Sequence, residues 1–286
     1  MQCRPMEPEP TGIRESICDL EDIRCVLFDV YGTILISGTG EVGTVSESNI
    51  GTFLNEALNA AGFEVMDASA GDRGAALLRQ EILSDHERKR ADGIEYPEVD
   101  IRDIWKTVMD RMTMDGAIGN PNSHEGITRL ALEYECRVNP VWPMPGLEGA
   151  LAELRSRDMV LGIVSNAQFY TPIFLRILLN ETLEDTGFDP ELCVWSYLMK
   201  EAKPSIRLYE QSAILLKKKY GVSPSQTLYV GNDMLNDIWP AARIGFRTAL
   251  FAGDRRSLRL RDDDERIGDT RPDLIVTDLG QIVGAV

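Results

Sequence analysis

Four short stretches place chemically capable side chains just behind apolar runs. "VLFDVYGTIL" (26–35) carries a carboxylate, Asp29, at the end of its apolar run, with Tyr31 and Thr33 close behind. "MVLGIVSNA" (159–167) delivers Ser165 and Asn166, "KEAKP" carries Lys203, and "TLYVGND" (227–233) delivers Asn232 and Asp233, followed by Asn236 and Asp237. One polar residue behind a strand means little. An acid, a hydroxyl–amide pair, a lysine and further acids at four such places are harder to dismiss and mark a candidate site. Two carboxylates about 4 Å apart repel by roughly 4 kcal/mol at an effective dielectric of 20. If Asp29, Asp233 and Asp237 share a cleft, Lys203 alone does not balance them, and a divalent cation does. Oxygen ligands without His or Cys suit Mg²⁺. Asp233 and Asp237 are four apart, so a helix starting there holds both on one side; the plain alternative is one helix-capping acid and one solvated acid.

The elements that must position these residues alternate. "MVLGIVSNA", "CVWSYLM" (193–199), "TLYVGND", "RTALFAG" (247–253) and "LIVTDL" (274–279) read as short buried strands, and the run at 25–30 as the first of them. Between them, 146–157 and 205–221 carry helical periodicity, the second stopping at a glycine. Such alternation predicts an α/β fold, a parallel sheet between helix layers. Ligands of open parallel sheets bind beyond the carboxyl ends of the strands, where the residues above fall. Residues 38–138 differ: helical patterns at 48–63, 73–83, 99–112 and 126–136, with no convincing strand between them. A segment that leaves the sheet after its first strand and returns near Pro140 is expected to form a cap.

Composition narrows the class. The 286 residues are 43% hydrophobic and 27% charged, with a net charge of −16. That charge argues against nucleic acid and anionic membrane as partners, while leaving a small anionic substrate open. No apolar run reaches membrane-helix length, and residues 1–22 read as a loose polar lead-in without the order of a secretion signal. Cys3, Cys18, Cys25, Cys136 and Cys193 show no framework, so reduced thiols and a cytoplasmic location are expected. His86 and His124 lie far apart and suggest no histidine metal site.

These stretches resemble the motifs of the haloacid dehalogenase superfamily: "FDVYGTIL" the first, "IVSNA" the second, Lys203-Pro204 the third and "YVGNDMLNDI" the fourth, in order over 23–37 and 139–260. The resemblance implies a three-layer Rossmann-like core (23–37 and 139–286) and a helical cap (38–138). It also implies an aspartyl-enzyme intermediate, with Asp29 as nucleophile. Ser165 and Asn166 would bind the transferring group, with Thr33 beside them, and Lys203 would neutralise charge. Asp233, with Asp237 or Asn232, would hold Mg²⁺ beside Asp29, with the Tyr31 carbonyl as a further ligand.

Two departures conflict. Phosphatases of this family usually carry an aspartate where Tyr31 stands, and tyrosine is a poor general base at neutral pH. The D-x-Y-G-T form resembles instead the metal-free 2-haloacid dehalogenases, whose halide leaves without a proton; Tyr209 also resembles that branch. The acids of "GNDMLND" point the other way, toward a metal. The charge argument favours a Mg²⁺-dependent phosphatase of a small metabolite. The alternatives are a dehalogenase-like hydrolase forming an ester on Asp29, and a non-catalytic phosphate- or metal-binding relative. In the cap, Arg79, Arg88, Lys89 and Arg90 read as a solvated helix face, and Trp105, Met109 and Met112 as core.

Overall fold

The computed structural model describes residues 5–38, 49–119 and 123–286. In chain order the elements are β1 (Cys25–Phe28), β2 (Leu35–Ser37), α1 (Ile50–Ala60), β3 (Glu64–Val65), α2 (Ala70–Ala91), α3 (Ile101–Met114), β4 (Ile118–Gly119) and α4 (His124–Val138). There follow β5 (Val141–Pro143), α5 (Leu147–Ser156), β6 (Val160–Ser165), α6 (Thr171–Leu179), β7 (Phe188–Trp195), α7 (Ser196–Met199) and α8 (Arg207–Tyr220). The last are β8 (Thr227–Gly231), α9 (Trp239–Ile244), β9 (Arg247–Phe251), β10 (Leu274–Val276) and α10 (Gly280–Ala285). The chain divides into two compact units, Met1–Glu41 with Val141–Val286, and Val42–Pro140. The stretch where the helical segment leaves the core falls at 39–48, and this stretch and Cys3 lie outside the described residues.

The first unit is a parallel six-stranded sheet in the order β10-β9-β8-β1-β6-β7, with helices on both sides. β1 is central and buried at all four positions, so it must be apolar toward both faces. Phe28 stands opposite Ile163 on one side and Val230 on the other. That register brings Asp29, Ser165 and Gly231 out at one edge. The chain first builds outward from β1 through β6 and β7, then restarts on the other side at β8. The order therefore reverses between β1 and β8, where open α/β sheets form their ligand crevice. On one face Leu208, Tyr209 and Leu216 of α8 pack with Cys25, Leu27, Val164 and Tyr229.

Three expectations change in this unit. The apolar stretch 193–199 is only partly strand: β7 begins earlier, at Phe188, and Ser196–Met199 turns into helix. A two-stranded antiparallel ribbon, β2 with β5, closes the chain's return and has no clear sequence signal. Over its described residues, 5–22, the lead-in is not loose. Ser16 exchanges both backbone hydrogen bonds with Ile275 of the edge strand, and Leu20 N–H donates to the Ala285 carbonyl. Thr11 Oγ1 donates to the Ala252 carbonyl at 2.7 Å. The Ser16 pair satisfies backbone groups that the edge strand β10 would otherwise expose.

The second unit is helical. Trp105, Val108, Met109 and Met112 of α3 are buried, and Trp105 meets Tyr134 edge-to-face at 5.2 Å. Asp100 caps α3 by accepting from Arg102 N–H, and Ser123 caps α4 by accepting from Gly126 N–H. Arg79, Arg88 and Arg90 are exposed, as a solvated face requires, and Lys89 pairs with Asp85. A minimal antiparallel pair, β3 with β4, interrupts the helices; two residues per strand are too few to leave a pattern in sequence.

Candidate active site

Asp29 follows β1 directly, and its N–H extends the ladder by donating to the Val230 carbonyl at 2.9 Å. Its carboxylate is buried, and among the described residues Lys203 is the cation that reaches it. Lys203 Nζ lies 2.6 Å from Asp29 Oδ1 and 2.6 Å from Asp237 Oδ1. The Lys203 side chain is only 3% exposed. Burial works against its charge, but Asp237 and then Asp29 outweigh it, and the ammonium is held above ordinary lysine. The backbone of Lys203 is fixed as well, because its N–H donates to Asn166 Oδ1 at 2.7 Å. Ser165 Oγ donates to the Asn166 carbonyl.

Asp237 is the most enclosed acid of the site, 1% exposed. Tyr229 lies 3.0 Å from its Oδ1 and donates to the Val164 carbonyl, while Asp233 N–H donates to its Oδ2 at 2.9 Å. Gly231 makes this possible: a Cβ there would lie 2.4 Å from Asp237 Cγ. Burial pushes the Asp237 carboxyl up to about 7 against the opposing pull of Lys203, and Asp29 and Asp233 add to the rise. Tyr209 stacks edge-to-face on Tyr229 at 5.0 Å and donates to the Asn236 carbonyl. Burial first, and then the charge of Asp237, hold both phenols well above ordinary tyrosine, so both stay protonated.

Asp233 does something else. It caps a π-helical turn, Met234–Ile238, with Oδ1 accepting from Leu235 N–H at 2.8 Å and Asn236 N–H at 3.1 Å. Its Oδ2 accepts from Asn236 Nδ2 at 3.1 Å and from Arg261 Nη2 at 2.7 Å. So Asp233 and Asp237 do form a pair about one turn, but one caps and the other is buried rather than solvated. Asn232 links the first and fourth motifs: Thr33 Oγ1 donates to its Oδ1 at 3.1 Å, and its Nδ2 donates to the Ser257 carbonyl at 2.5 Å. Ser257 packs against Gly32, whose φ of +85° and missing side chain the turn requires; a Cβ there would meet Ser257 Cβ at 2.4 Å. Tyr31 is buried, and its hydroxyl shares a 2.8 Å hydrogen bond with Thr171 Oγ1 at the start of α6.

The structure thus brings Asp29, Lys203 and Asp237 into one contact set, and joins Thr33 to Asn232 and Asn166 to Lys203. It pairs Asp233 with Arg261 and Tyr31 with Thr171. Tyr229, Thr171, Ser257 and Arg261 were not anticipated. In the sequence Arg261 stands at the head of an acidic run, "RDDDERIGD", which gives no hint of its partner. It corrects the charge count. Three carboxylates face two fixed cations, Lys203 and Arg261, and leave one net negative charge.

That count bears on Mg²⁺. A carboxylate offers about four lone-pair directions, and four protein donors already fill those of Asp233. Asn232 Oδ1 accepts from Thr33, and Asp237 accepts from Lys203 and a backbone N–H, with the Tyr229 hydroxyl 3.0 Å away. Among the described residues no group of three or more His, Cys, Asp or Glu is disposed to hold an ion. As arranged, Asp233 offers no open lone pair, and the acidic turn does not fit a divalent cation. Among the described residues, no helix is long and apolar enough to cross a membrane.

Comparison with known proteins gives the fold's relatives. A 2-haloacid dehalogenase from Pseudomonas syringae pv. Tomato DC3000 superposes with a TM-score of 0.57 at 18% identity, covering 92% of this chain and 97% of that one. A dehalogenase superposes at 0.50 and 17% identity, covering 93% and 98%. A HAD phosphatase from Thermococcus onnurineus reaches 0.49 at 18% identity, covering 92% and 99%. At these identities the likeness to the two dehalogenases is one of fold. No curated protein matches the chain in sequence. The family model described as haloacid dehalogenase-like hydrolase matches residues 23–245, and this chain belongs to that hydrolase family.

Proposed function

We propose that the chain hydrolyses a small anionic substrate through an ester on Asp29, expelling a group that needs no proton to leave and requiring no divalent cation. A 2-haloacid has these properties. Lys203 holds Asp29 Oδ1, which leaves Oδ2 to attack the substrate carbon. The carbon–oxygen bond forms as the carbon–halogen bond breaks, and halide departs with the electron pair. Water then attacks the Asp29 carboxyl carbon, the 2-hydroxyacid is released, and the carboxylate re-forms with one oxygen from water. One proton is released with the product. Ser165 Oγ and the amide nitrogen of Asn166 are the groups proposed to orient the substrate's own carboxylate.

The observation that carries this reading is the Tyr31–Thr171 hydrogen bond. The position that would supply a carboxylate to protonate a leaving alkoxide holds a phenol fastened to a helix start. Halide release from 2-chloropropionate, undiminished by EDTA, is the expected result. Absence of halide release, with magnesium-dependent phosphate release from an aryl phosphate, would overturn it.

One observation favours that second reading, Mg²⁺-dependent phosphoryl transfer. The Asp29–Lys203–Asp237 set keeps a net negative charge, which opposes a phosphate dianion unless a cation is added. It requires Arg261 to release Asp233.

A further inference from the structure

We infer that Arg261 takes the place of a divalent cation at the acidic turn, so that the turn is complete without metal and becomes metal-binding only when the guanidinium is removed. The inference deepens the metal-independent reading and rests on it. Arg261 reaches Asp233 in a fork: Nη2 lies 2.7 Å from Oδ2, and Nε lies 3.2 Å from Oδ2 and 3.3 Å from Oδ1. A planar guanidinium suits a carboxylate in this way, and its charge is permanent.

The placement is built from backbone as well as side chain. The segment leading to Arg261 runs beside the acidic turn, with Met234 N–H donating to the Arg259 carbonyl at 2.9 Å and Arg259 N–H to the Asn232 carbonyl at 3.0 Å. The N-terminal lead-in braces the same segment from its other end. Arg255 N–H donates to the Glu9 carbonyl at 2.8 Å, Glu9 N–H donates to Asp254 Oδ1 at 3.1 Å, and Arg256 Nη2 donates to the Glu7 carbonyl. Asp254 is itself 1% exposed. Arg261 is therefore delivered to Asp233 by a braced strand-like segment. Taking it away opens a lone pair on Asp233 Oδ2 and leaves a buried carboxylate uncompensated beside Asp237. A hard divalent cation answers both changes.

Mn²⁺ alone is the probe, titrated into the full chain and followed by electron paramagnetic resonance and calorimetry. Wild type is expected to show no saturable site. Arg261→Met and Arg261→Gln are expected to gain one, with affinity up by about tenfold or more, ~1.4 kcal/mol, and to lose it again when Asp233→Asn is added. A saturable wild-type site that Asp233→Asn abolishes would overturn the inference, as would folded Arg261 variants that bind no Mn²⁺. If neither Arg261 variant folds, wild type against Asp233→Asn tests the first half: a saturable site lost with Asp233→Asn overturns the inference, and no site in either upholds a turn complete without metal. These titrations read metal, not turnover, so failure of the dehalogenation reading shows separately as absent halide release.

Discussion

The carboxyl edge of the sheet and the surface of the helical unit both hold many charged pairs, yet the pairs differ in kind. At the sheet edge Lys203 meets Asp29 and Asp237 with side chains 3%, 8% and 1% exposed. In the helical unit Lys106–Asp110 and Arg73–Asp67 leave side chains 41–66% exposed. Separation is similar in both places, and dielectric is not. Exposed pairs contribute little, because water solvates each partner almost as well. Buried ones cost a great deal to desolvate, and a chain that keeps them is using them for something other than stability. Substitutions that break one member of each kind sharpen the contrast.

The largest effect is expected for Lys203→Met, which leaves two buried carboxylates facing each other. Denaturant unfolding should register a loss of about 3–5 kcal/mol, and turnover should fall to background. An effect of similar size but of apolar origin is expected for Trp105→Ala in the helical unit, about 3–5 kcal/mol from lost burial and the cavity left behind. Without a change in buried charge, its loss should not vary with pH.

Asp237→Asn comes next, and its signature is pH. The folded-state pKa of Asp237 is raised from 3.8 to about 7. The native state therefore binds more protons than the unfolded state between those values, and stability falls as pH rises through that window. Wild-type melting temperature should drop from about pH 4 to about pH 7, and the variant should flatten that slope. An equal slope in both would place the titration elsewhere.

Tyr31→Phe is expected to be milder. It removes the hydrogen bond to Thr171, a net loss of about 1 kcal/mol, and turnover should stay within a few-fold. A fall of about 10²–10⁴-fold would mean that the hydroxyl takes part in proton transfer. Smallest is Lys106→Ala, whose exposed pair should contribute about 0.5 kcal/mol or less.

The same contrast explains what could be read from sequence. Asp29, Ser165 and Lys203 were legible because apolar runs mark strands, and parallel strands collect their carboxyl ends. Trp105 and Met109 were legible from helical spacing. Arg261 was not, since it lies 28 residues from Asp233 at the head of an acidic run, and only the backbone pairing of Arg259 with the turn brings it there. Counting Lys203 as the sole cation followed from that gap. The lead-in misled in the same way: its order comes from main-chain bonds to an edge strand, which composition does not encode. Asn232 was read as a candidate metal ligand and Asn166 as binding the transferring group; their hydrogen bonds to Thr33 and to the Lys203 N–H are contacts visible only in three dimensions.

The most direct test is turnover of 2-chloropropionate in ¹⁸O-water with EDTA present, followed by mass spectrometry of the peptide carrying Asp29. An ester on that side chain, hydrolysed without metal, places ¹⁸O in the Asp29 carboxylate after the first turnover. Label found only in the released hydroxyacid during a single turnover, or no turnover until magnesium is restored, would contradict the account.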